Sequence, residues 1–390
     1  MASIRAIVKS ELLTWARESM HLPAEVAAKK IGVTSEKLRE WEAGVSVPTI
    51  AQLRKAAEVY KRPLAVFFLS QPPKTFDALH DYRKLPDIGS IAASPELSLA
   101  IRTARSQREV LLEIASDLKI ELPEITSSFK TSTASPEAFA ESARNLLKIS
   151  LASQFSWEKS YEALNNWIKA LEGVGVLVFQ TSEVELTEMR GFALHSRPLP
   201  VIVANAQDSP QGRVFTLLHE FSHILLMQSP LCDLHEDRDL SSENTKTEVF
   251  CNRVAGNILV PQEALQSAID SLHLGRKGPS DSDLEALSRR FSVSREVIVR
   301  RLLTIGSVSL DFYRSKRDSY LRTYQERAKR EGGFAPHEVV RVRNLGKLFV
   351  RTVVSAYRQE AITSADLSNY LGIKIKYLPK VEKLVFRGGE

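Results

Sequence analysis

The spacing of apolar residues predicts that most of this chain is helical. The first 70 residues favour five short helices, over Ser10–Met20, Ala24–Lys30, Ser35–Glu42, Ile50–Tyr60 and Leu64–Leu69. Thr34 and Thr49 are good N-caps, and Gly32 and Gly44 stand where helices two and three should end. These residues predict a compact helical bundle at the start of the chain.

The pattern changes after residue 70. Residues 71–95 contain several prolines and predict a linker, which is followed by helices over Pro95–Leu118, Pro136–Leu147 and Trp157–Leu171. Short β-branched runs then predict strands over Val174–Gln180, Met189–His195 and Leu199–Asn205. Beyond them we expect a helix from Pro210 to Met227, a polar loop over Leu231–Ser242, and a helix over Thr247–Leu259. The remainder is mostly helical in pattern.

Charge divides the chain in a similar way. Residues 1–70 carry a net charge of +4, residues 71–282 a net charge of −8, and residues 283–390 a net charge of +10. We predict a mainly α fold with a small β-sheet, in the α+β class. The predicted domains are a helical bundle (1–70), a linker (71–95), a domain containing the sheet (96–280), and a basic helical domain (281–390) that carries a helix-turn-helix-like pattern at Leu284–Leu303.

One predicted helix carries the residues of a zinc-peptidase motif. The sequence His-Glu-x-x-His occupies residues 219–223, so His219 and His223 project from one face, one turn apart. Two imidazoles in this arrangement can bind one Zn²⁺. Glu220 can reach a zinc-bound water, whose pKa falls to about 7, and act as general base in peptide hydrolysis. The pattern predicts a metallopeptidase.

A catalytic zinc site usually takes three protein ligands. Glu248, at the start of the following helix, is the candidate third ligand, and Glu243 is the alternative. Cys251 lies one helical turn from Glu248, so it is either a further thiolate near the metal or a small core residue. The cofactor that this set predicts is Zn²⁺.

Residues 174–262 resemble the ImmA/IrrE metallopeptidase family. The matching motif reads F-T-x-x-H-E-x-x-H from Phe215 and is followed, from Glu248 to Pro261, by E-x-x-x-N-x-x-A-x-x-x-L-x-P. The resemblance implies a minimal zincin-like fold, with His219, His223 and Glu248 as zinc ligands and Glu220 as the base. It also implies cleavage of a repressor-like protein in a stress, phage or mobile-element circuit.

Residues 9–69 resemble the Cro/C1-type (XRE) helix-turn-helix family through AAKKIGVTSEKLREWEAGVSVP, which begins at Ala27. In such folds the third helix enters the major groove of DNA. The candidate DNA-binding residues at its exposed positions are Ser35, Glu36, Lys37, Arg39 and Glu40. Residues 23–48 carry four basic and four acidic side chains, so this face is neutral and predicts weak DNA binding.

Two functions follow from these resemblances. The first is a regulator with a zinc-dependent endopeptidase domain that cleaves a repressor or partner protein. The second is a DNA-binding antitoxin or regulator with a PIN-like RNase toxin as partner, in which the zincin domain is a protein-binding scaffold. The apolar segment Pro63–Leu69 is suited to pack against the next domain or against a second subunit, and the second case predicts a homodimer. Only two cysteines and no long apolar run indicate a cytoplasmic protein without a membrane span.

Overall fold

The computed structural model describes residues 5–72, 94–125, 135–227, 240–271, 278–328 and 336–386. The chain divides into two compact units, Met1–Arg105 and Ser106–Glu390. Most of the linker predicted over 71–95 lies outside the described residues. The domain boundaries predicted at residues 70, 95 and 280 stay predictions.

The first unit begins with four α-helices and a short 3₁₀ helix. The α-helices are α1 (Ser10–Glu18), α2 (Ala24–Ile31), α3 (Ser35–Glu42) and α4 (Ile50–Val59), and the 3₁₀ helix is Leu64–Phe68. All five lie within two residues of the bounds predicted from the sequence. Leu12, Leu38 and Trp41 are almost fully buried in the common core of these helices.

Specific residues determine where these helices begin and end. Gly32 ends α2 in a left-handed conformation at φ 85°, which only glycine adopts at little cost. The Thr34 hydroxyl accepts a hydrogen bond from the Lys37 amide and caps α3. Thr49 and Gln52 form a reciprocal capping box at the start of α4. The predicted caps are therefore confirmed.

The second unit contains a three-stranded sheet preceded by four helices. The helices are α5 (Pro95–Asp117, which begins before Ser106), α6 (Pro136–Leu147), α7 (Leu151–Phe155) and α8 (Ser160–Gly173). The strands are β1 (Leu177–Thr181), β2 (Gly191–Leu194) and β3 (Val201–Asn205). The helix predicted over Trp157–Leu171 begins only at Ser160, because Trp157 lies in the preceding turn, where its ring packs edge-to-face against Trp167.

The sheet has the order β1-β3-β2, with β3 parallel to β1 and antiparallel to β2. Successive side chains of a strand point to opposite faces, so Val178, Ile202 and Ala204 share one face. They join a core with Val214 and Leu217 from the next helix. On the opposite face, the ring of Phe179 meets that of Phe349 edge-to-face at 6.0 Å. Both faces of the sheet are covered, as its largely apolar strands require.

Two helices follow the sheet: α9 (Pro210–Met227) and α10 (Leu240–Leu259). Helix α9 has the predicted bounds. Helix α10 begins seven residues earlier than predicted, because residues 240–246, placed partly in a polar loop by their composition, continue the helix. The remainder of that predicted loop, residues 231–239, lies outside the described residues.

Eight α-helices and one 3₁₀ helix complete the described part of the chain. They are α11 (Gln262–Ser271), α12 (Asp281–Phe291), α13 (Arg295–Thr304), α14 (Leu310–Ala328), α15 (His337–Leu345), α16 (Lys347–Arg358), α17 (Ser364–Leu371) with the 3₁₀ helix Ile375–Tyr377, and α18 (Leu378–Phe386). The fold is mainly helical with a small sheet, and the predicted α+β class is confirmed. Within the described ranges, no helix has the length and hydropathy to cross a membrane.

The helix-turn-helix pattern at Leu284–Leu303 corresponds to α12 and α13. Ser292 ends α12 in a left-handed conformation, and the Ser294 hydroxyl caps α13. Val297, Ile298 and Leu302 of α13 are buried in the same core as the sheet. Because α13 is buried along much of its surface, its packing supports the fold of the second unit.

Candidate metal centre

The HExxH motif lies in the second half of α9, and the structure brings a residue of α10 to it. Leu218, Phe221 and Leu225 are fully buried on α9, and Val254 and Ile258 are fully buried on α10. Since these residues belong to one core, the two helices pack against each other and place His219, His223 and Glu248 together.

The three side chains converge closely. His219 Nε2 and His223 Nε2 are 3.1 Å apart. Glu248 Oε2 is 3.3 Å from His219 Nε2, and Glu248 Oε1 is 3.0 Å from His223 Nε2. All three side chains are between 13% and 15% exposed, so the cluster is largely buried but still accessible to solvent. Among the described residues, this is the group of metal-ligating side chains that could hold an ion.

The spacing of these atoms fits a tetrahedral zinc ion. Ligands about 2.0–2.1 Å from the centre of a tetrahedron are about 3.3 Å from one another. The three measured separations, 3.0, 3.1 and 3.3 Å, are close to that value. Two imidazoles and one carboxylate are also a donor set that zinc favours, with a fourth position left for water. The residues present therefore fit a catalytic zinc ion.

The electrostatics of Glu248 support the same interpretation. Burial raises the pKa of its carboxyl, but hydrogen bonds with His219 and His223 outweigh burial and lower that pKa to about 2. Glu248 is therefore an anion at neutral pH. A buried anion facing two imidazole nitrogens is the charge arrangement that a divalent cation requires.

Cys251 lies next to this cluster and is fully buried. Burial raises the pKa of its thiol, and the charges of Glu248 and Glu220 raise it further. Among the described residues, the ligand atoms that converge belong to His219, His223 and Glu248 and not to Cys251, which favours the core-packing interpretation over a thiolate ligand. The alternative ligand Glu243 has a side chain outside the described residues.

Two features of the centre were not found from the sequence. The ring of Phe215 stacks on His219 at 6.4 Å, with an angle of 22° between the planes, and so restricts the orientation of that imidazole. Gly191 of β2 packs against the Thr216 side chain, leaving no room for a Cβ atom. A glycine within an apolar strand pattern is a signal of such a close approach.

A buried polar network fixes the end of α10. The amide of Gln154 donates to the carbonyls of Leu259 (2.9 Å) and Phe291 (2.7 Å) and accepts from Arg144 (2.8 Å). Arg144 also donates to the Ile258 carbonyl. The last carbonyls of a helix lack partners within the helix, so these side chains hold the C-terminus of α10 in place.

The candidate DNA-binding residues lie on α3 in the first unit. Glu36, Lys37 and Arg39 are exposed, and Ser35 and Glu40 are partly exposed. Lys37 pairs with Glu40 at 2.6 Å, and Arg39 pairs with Glu25 of α2 at 2.6 Å. The basic groups on this face are thus already paired with carboxylates of the same unit.

Two family models match the chain. Residues 171–303 match Peptidase_M78, the IrrE N-terminal-like domain, and residues 13–67 match the helix-turn-helix family HTH_3. The chain contains an IrrE N-terminal-like domain and an N-terminal helix-turn-helix domain. The IrrE N-terminal-like domain includes the whole candidate metal centre, and peptidases of this kind use a metal ion.

Curated relatives cover a smaller region. The chain is 40% identical over 96 residues to a radiation response metalloprotease IrrE of Deinococcus deserti, and 30% identical over 96 residues to the protein of that name from Deinococcus radiodurans. These alignments cover 24% of this chain and 32% and 28% of the relatives, so the match spans about a third of their length.

A solved structure also aligns with the chain: Bacillus thuringiensis PlcR in complex with the peptide PapR7 and DNA. The alignment covers 83% of this chain and 100% of that chain, at 10% identity and a TM-score of 0.16. A likeness this weak carries no argument about fold or partner.

Proposed function

We propose that the chain is a DNA-associated regulator whose second unit is a zinc-dependent endopeptidase. The observation that carries the proposal is the convergence of His219, His223 and Glu248 at separations that match a zinc tetrahedron. The match of residues 171–303 to the IrrE N-terminal-like domain supports the same activity.

The residues of the site have distinct roles in this proposal. His219 and His223 bind the ion through Nε2, and Glu248 adds a negative charge and the third ligand atom. When bound, zinc supplies Lewis-acid activation of water and of the scissile carbonyl. Phe215 restricts the orientation of the His219 ring by stacking on it.

Glu220 is the proposed general base. It directly follows His219 on α9 and is partly exposed. From this position its carboxylate accepts a proton from the attacking water and delivers it to the leaving amine.

The proposed substrate is a repressor-like or partner protein, and the helix-turn-helix domain supports a role in gene regulation. Helix α3 of that domain would lie in the major groove, with Ser35, Glu36, Lys37, Arg39 and Glu40 at the interface. The ion pairs on this face favour weak non-specific binding, because paired basic groups displace fewer counterions from DNA.

The alternative function is a DNA-binding antitoxin or regulator with a toxin partner, in which the second unit is a scaffold. The observation that favours it is the helix-turn-helix match over residues 13–67, which does not require peptidase activity. The two functions differ in whether Glu220 is needed, and in whether a partner protein is cut or only bound.

The deciding experiment is metal analysis of the chain purified without chelator. We expect about one zinc per native chain and a loss of most of it in Glu248→Ala, because three ligands become two. Glu263→Ala, which removes an exposed carboxylate from α11, is the matched control and should keep its zinc. A native chain without metal would reject the peptidase proposal.

A further inference from the structure

A buried guanidinium lies at the carboxyl end of β1. Arg213, on the first turn of α9, is 2% exposed, and its Nη1 donates to Gln180 Oε1 at 2.6 Å. Its Nε is buried and has no hydrogen-bond partner among the described residues. Its guanidinium also lies over the Tyr161 ring, 5.4 Å from the ring centroid. A guanidinium has five N–H donors, so this buried charge is bonded mainly to one neutral amide.

A second arginine, Arg343, lies close to Arg213 in the fold. The Gln180 side chain that binds Arg213 also donates to the Arg343 carbonyl at 3.5 Å, which brings the end of α15 to the same place. Burial lowers the pKa of Arg343, and the nearby positive charge of Arg213 lowers it further. Within the described ranges, neither arginine forms an ion pair. Arg343 is partly exposed, and its Nε donates to Asn344 Oδ1 at 3.0 Å. Arg213 is buried, and because buried charges are normally paired, Arg213 lacks an anion.

Two helix N-termini meet at this cluster. Gln211 of α9 donates to the Ser160 hydroxyl of α8 at 2.8 Å, so the first turns of both helices are adjacent. The N-cap of α8, Lys159, makes no side-chain cap, and the free N–H groups of a first turn favour an anion. Asp208, the acid at the start of α9, is held by Ser209 N–H and Arg190.

We propose that Arg213 and Arg343, with Gln180 and Tyr161, form a binding site for a phosphate group. This two-arginine site offers planar donor pairs that match the oxygens of an oxyanion. A phosphate monoester carries a charge of about −1.5 to −2 at pH 7 and neutralises both guanidiniums, whereas one carboxylate would leave a net positive charge. Tyr161 is 61% exposed, so the side of the site that it borders is open to the remainder of a phosphorylated compound.

An anion bound at the two-arginine site affects the metal centre because both sites use residues of α9. Arg213 precedes His219 by six residues on the same helix, so an anion held by Arg213 stabilises the segment that leads into the HExxH motif. The two sites use different side chains, and phosphate binding at the two-arginine site does not depend on zinc.

The test is calorimetric titration of the full chain with inorganic phosphate and with phenyl phosphate, at constant ionic strength. We expect saturable binding to the native chain and a dissociation constant at least about tenfold higher for Arg343→Gln, because a charge-assisted contact is lost. Arg358→Gln is the control: it removes the same charge from an exposed position on α16 that pairs with Glu382. Tighter binding of phenyl phosphate would identify a phosphomonoester as the ligand, and equal binding would identify free phosphate.

Absence of saturable binding, or equal binding by the native chain and Arg343→Gln, would overturn the proposal. Phosphate bound at the zinc ion instead would give equal binding by the native chain and Arg343→Gln. If Arg343→Gln does not fold, chemical modification of the native chain tests the site instead. Phosphate should protect Arg343, but not Arg358, from modification by phenylglyoxal, as read by peptide mass spectrometry. Equal modification of Arg343 with and without phosphate would also reject the site.

Discussion

His223 Nε2 lies 3.0 Å from Oε1 of Glu248, although the two residues are on different helices and 25 positions apart in sequence. Only the packing of α9 on α10 brings them together. Fully buried residues of both helices, including Phe221 and Val254, share one core. Metal affinity should therefore respond to changes in that packing as well as to changes in the ligands.

The first prediction concerns Glu220→Gln. Glutamine keeps the size of the side chain but accepts no proton at neutral pH, so hydrolysis should fall by about 10²–10⁴-fold, the usual contribution of a general base. Zinc content should stay close to that of the native chain, because Glu220 is not among the three converging ligands. The measurement pairs metal analysis with cleavage of a candidate repressor protein.

Binding of the partner protein distinguishes the peptidase function from the scaffold function. If Glu220→Gln retains zinc and cleaves as fast as the native chain, Glu220 is not the base. If neither protein cleaves any partner, yet both repress a promoter or neutralise a toxin equally, the scaffold function is the better account.

The second prediction concerns Gly191→Ala. An added Cβ would overlap the Thr216 side chain and lie 2.9 Å from the Val203 carbonyl, so β2 and α9 must move apart. We expect a loss of about 1–3 kcal/mol in the free energy of unfolding, typical of overpacking, together with weaker zinc binding. Chemical denaturation and competition with a chelator measure the two effects.

Gly173→Ala is the matched control for this change. A Cβ at Gly173, the last residue of α8, would meet no atom within 4 Å. Alanine also reduces the freedom of the unfolded chain, so stability should be unchanged or higher by less than about 1 kcal/mol. Equal effects of the two substitutions would show that the contact between Gly191 and Thr216 has no special importance.

Local patterns predicted much of the fold. The N-terminal helices and α9 were predicted correctly because local signals mark where they begin or end. A hydrogen bond or a backbone dihedral angle of the residue itself provides each signal, at Thr34, Thr49, Gly32 and Pro210. The start of α10 was missed because its first turns are polar, and composition alone favours a loop for such a segment. Tertiary context overrides such a local preference.

In the candidate site too, relationships within one helix follow from the sequence, whereas contacts between helices do not. His219 and His223 are related by one helical turn, so their shared face follows from the sequence alone. The sequence did not determine that Glu248 is the acid that faces α9, because the packing of two helices depends on residues far apart in the chain. The two-arginine site was not predicted at all, because Arg213 and Arg343 are 130 residues apart and meet only through Gln180.

The third prediction uses Glu172, a buried carboxyl near the start of α16. Burial raises the pKa of Glu172 to about 7, although Leu348 N–H donates to its Oε1 at 3.2 Å. A pKa raised above the ordinary value of 4.5 means that the folded chain holds this proton more tightly than the unfolded chain. The resulting stability is fully present below about pH 4.5 and is lost as pH rises through about 7.

Glu172→Gln should remove this dependence, because the amide stays neutral and still accepts from Leu348 N–H. At pH 8 the variant should be more stable than the native chain by about 1–3 kcal/mol, and the difference should disappear near pH 4.5. Urea denaturation across this pH range measures it. Glu263→Gln, at an exposed position, should show no such trend. A variant that is less stable than the native chain at pH 8 would contradict the assignment.

The last prediction concerns the ion pair between Arg39 and Glu25 on the helix-turn-helix domain. Glu25→Gln releases Arg39 to contact a DNA phosphate and removes one negative charge from the proposed interface. Non-specific DNA affinity at low salt should rise by about two- to tenfold, and the slope of log K against log salt should steepen by up to about one unit. Lys37→Ala should shift both quantities in the opposite direction.

Glu18→Gln separates a contact from a general charge effect, because Glu18 is 64% exposed on α1, outside α2 and α3. If Glu18→Gln and Glu25→Gln raise affinity equally, the gain reflects net charge and α3 is not the DNA-binding helix. If no substitution on α3 changes DNA binding, the first unit binds a protein instead. A larger gain for Glu25→Gln would place Arg39 at the DNA backbone, because only a phosphate contact makes affinity depend steeply on salt.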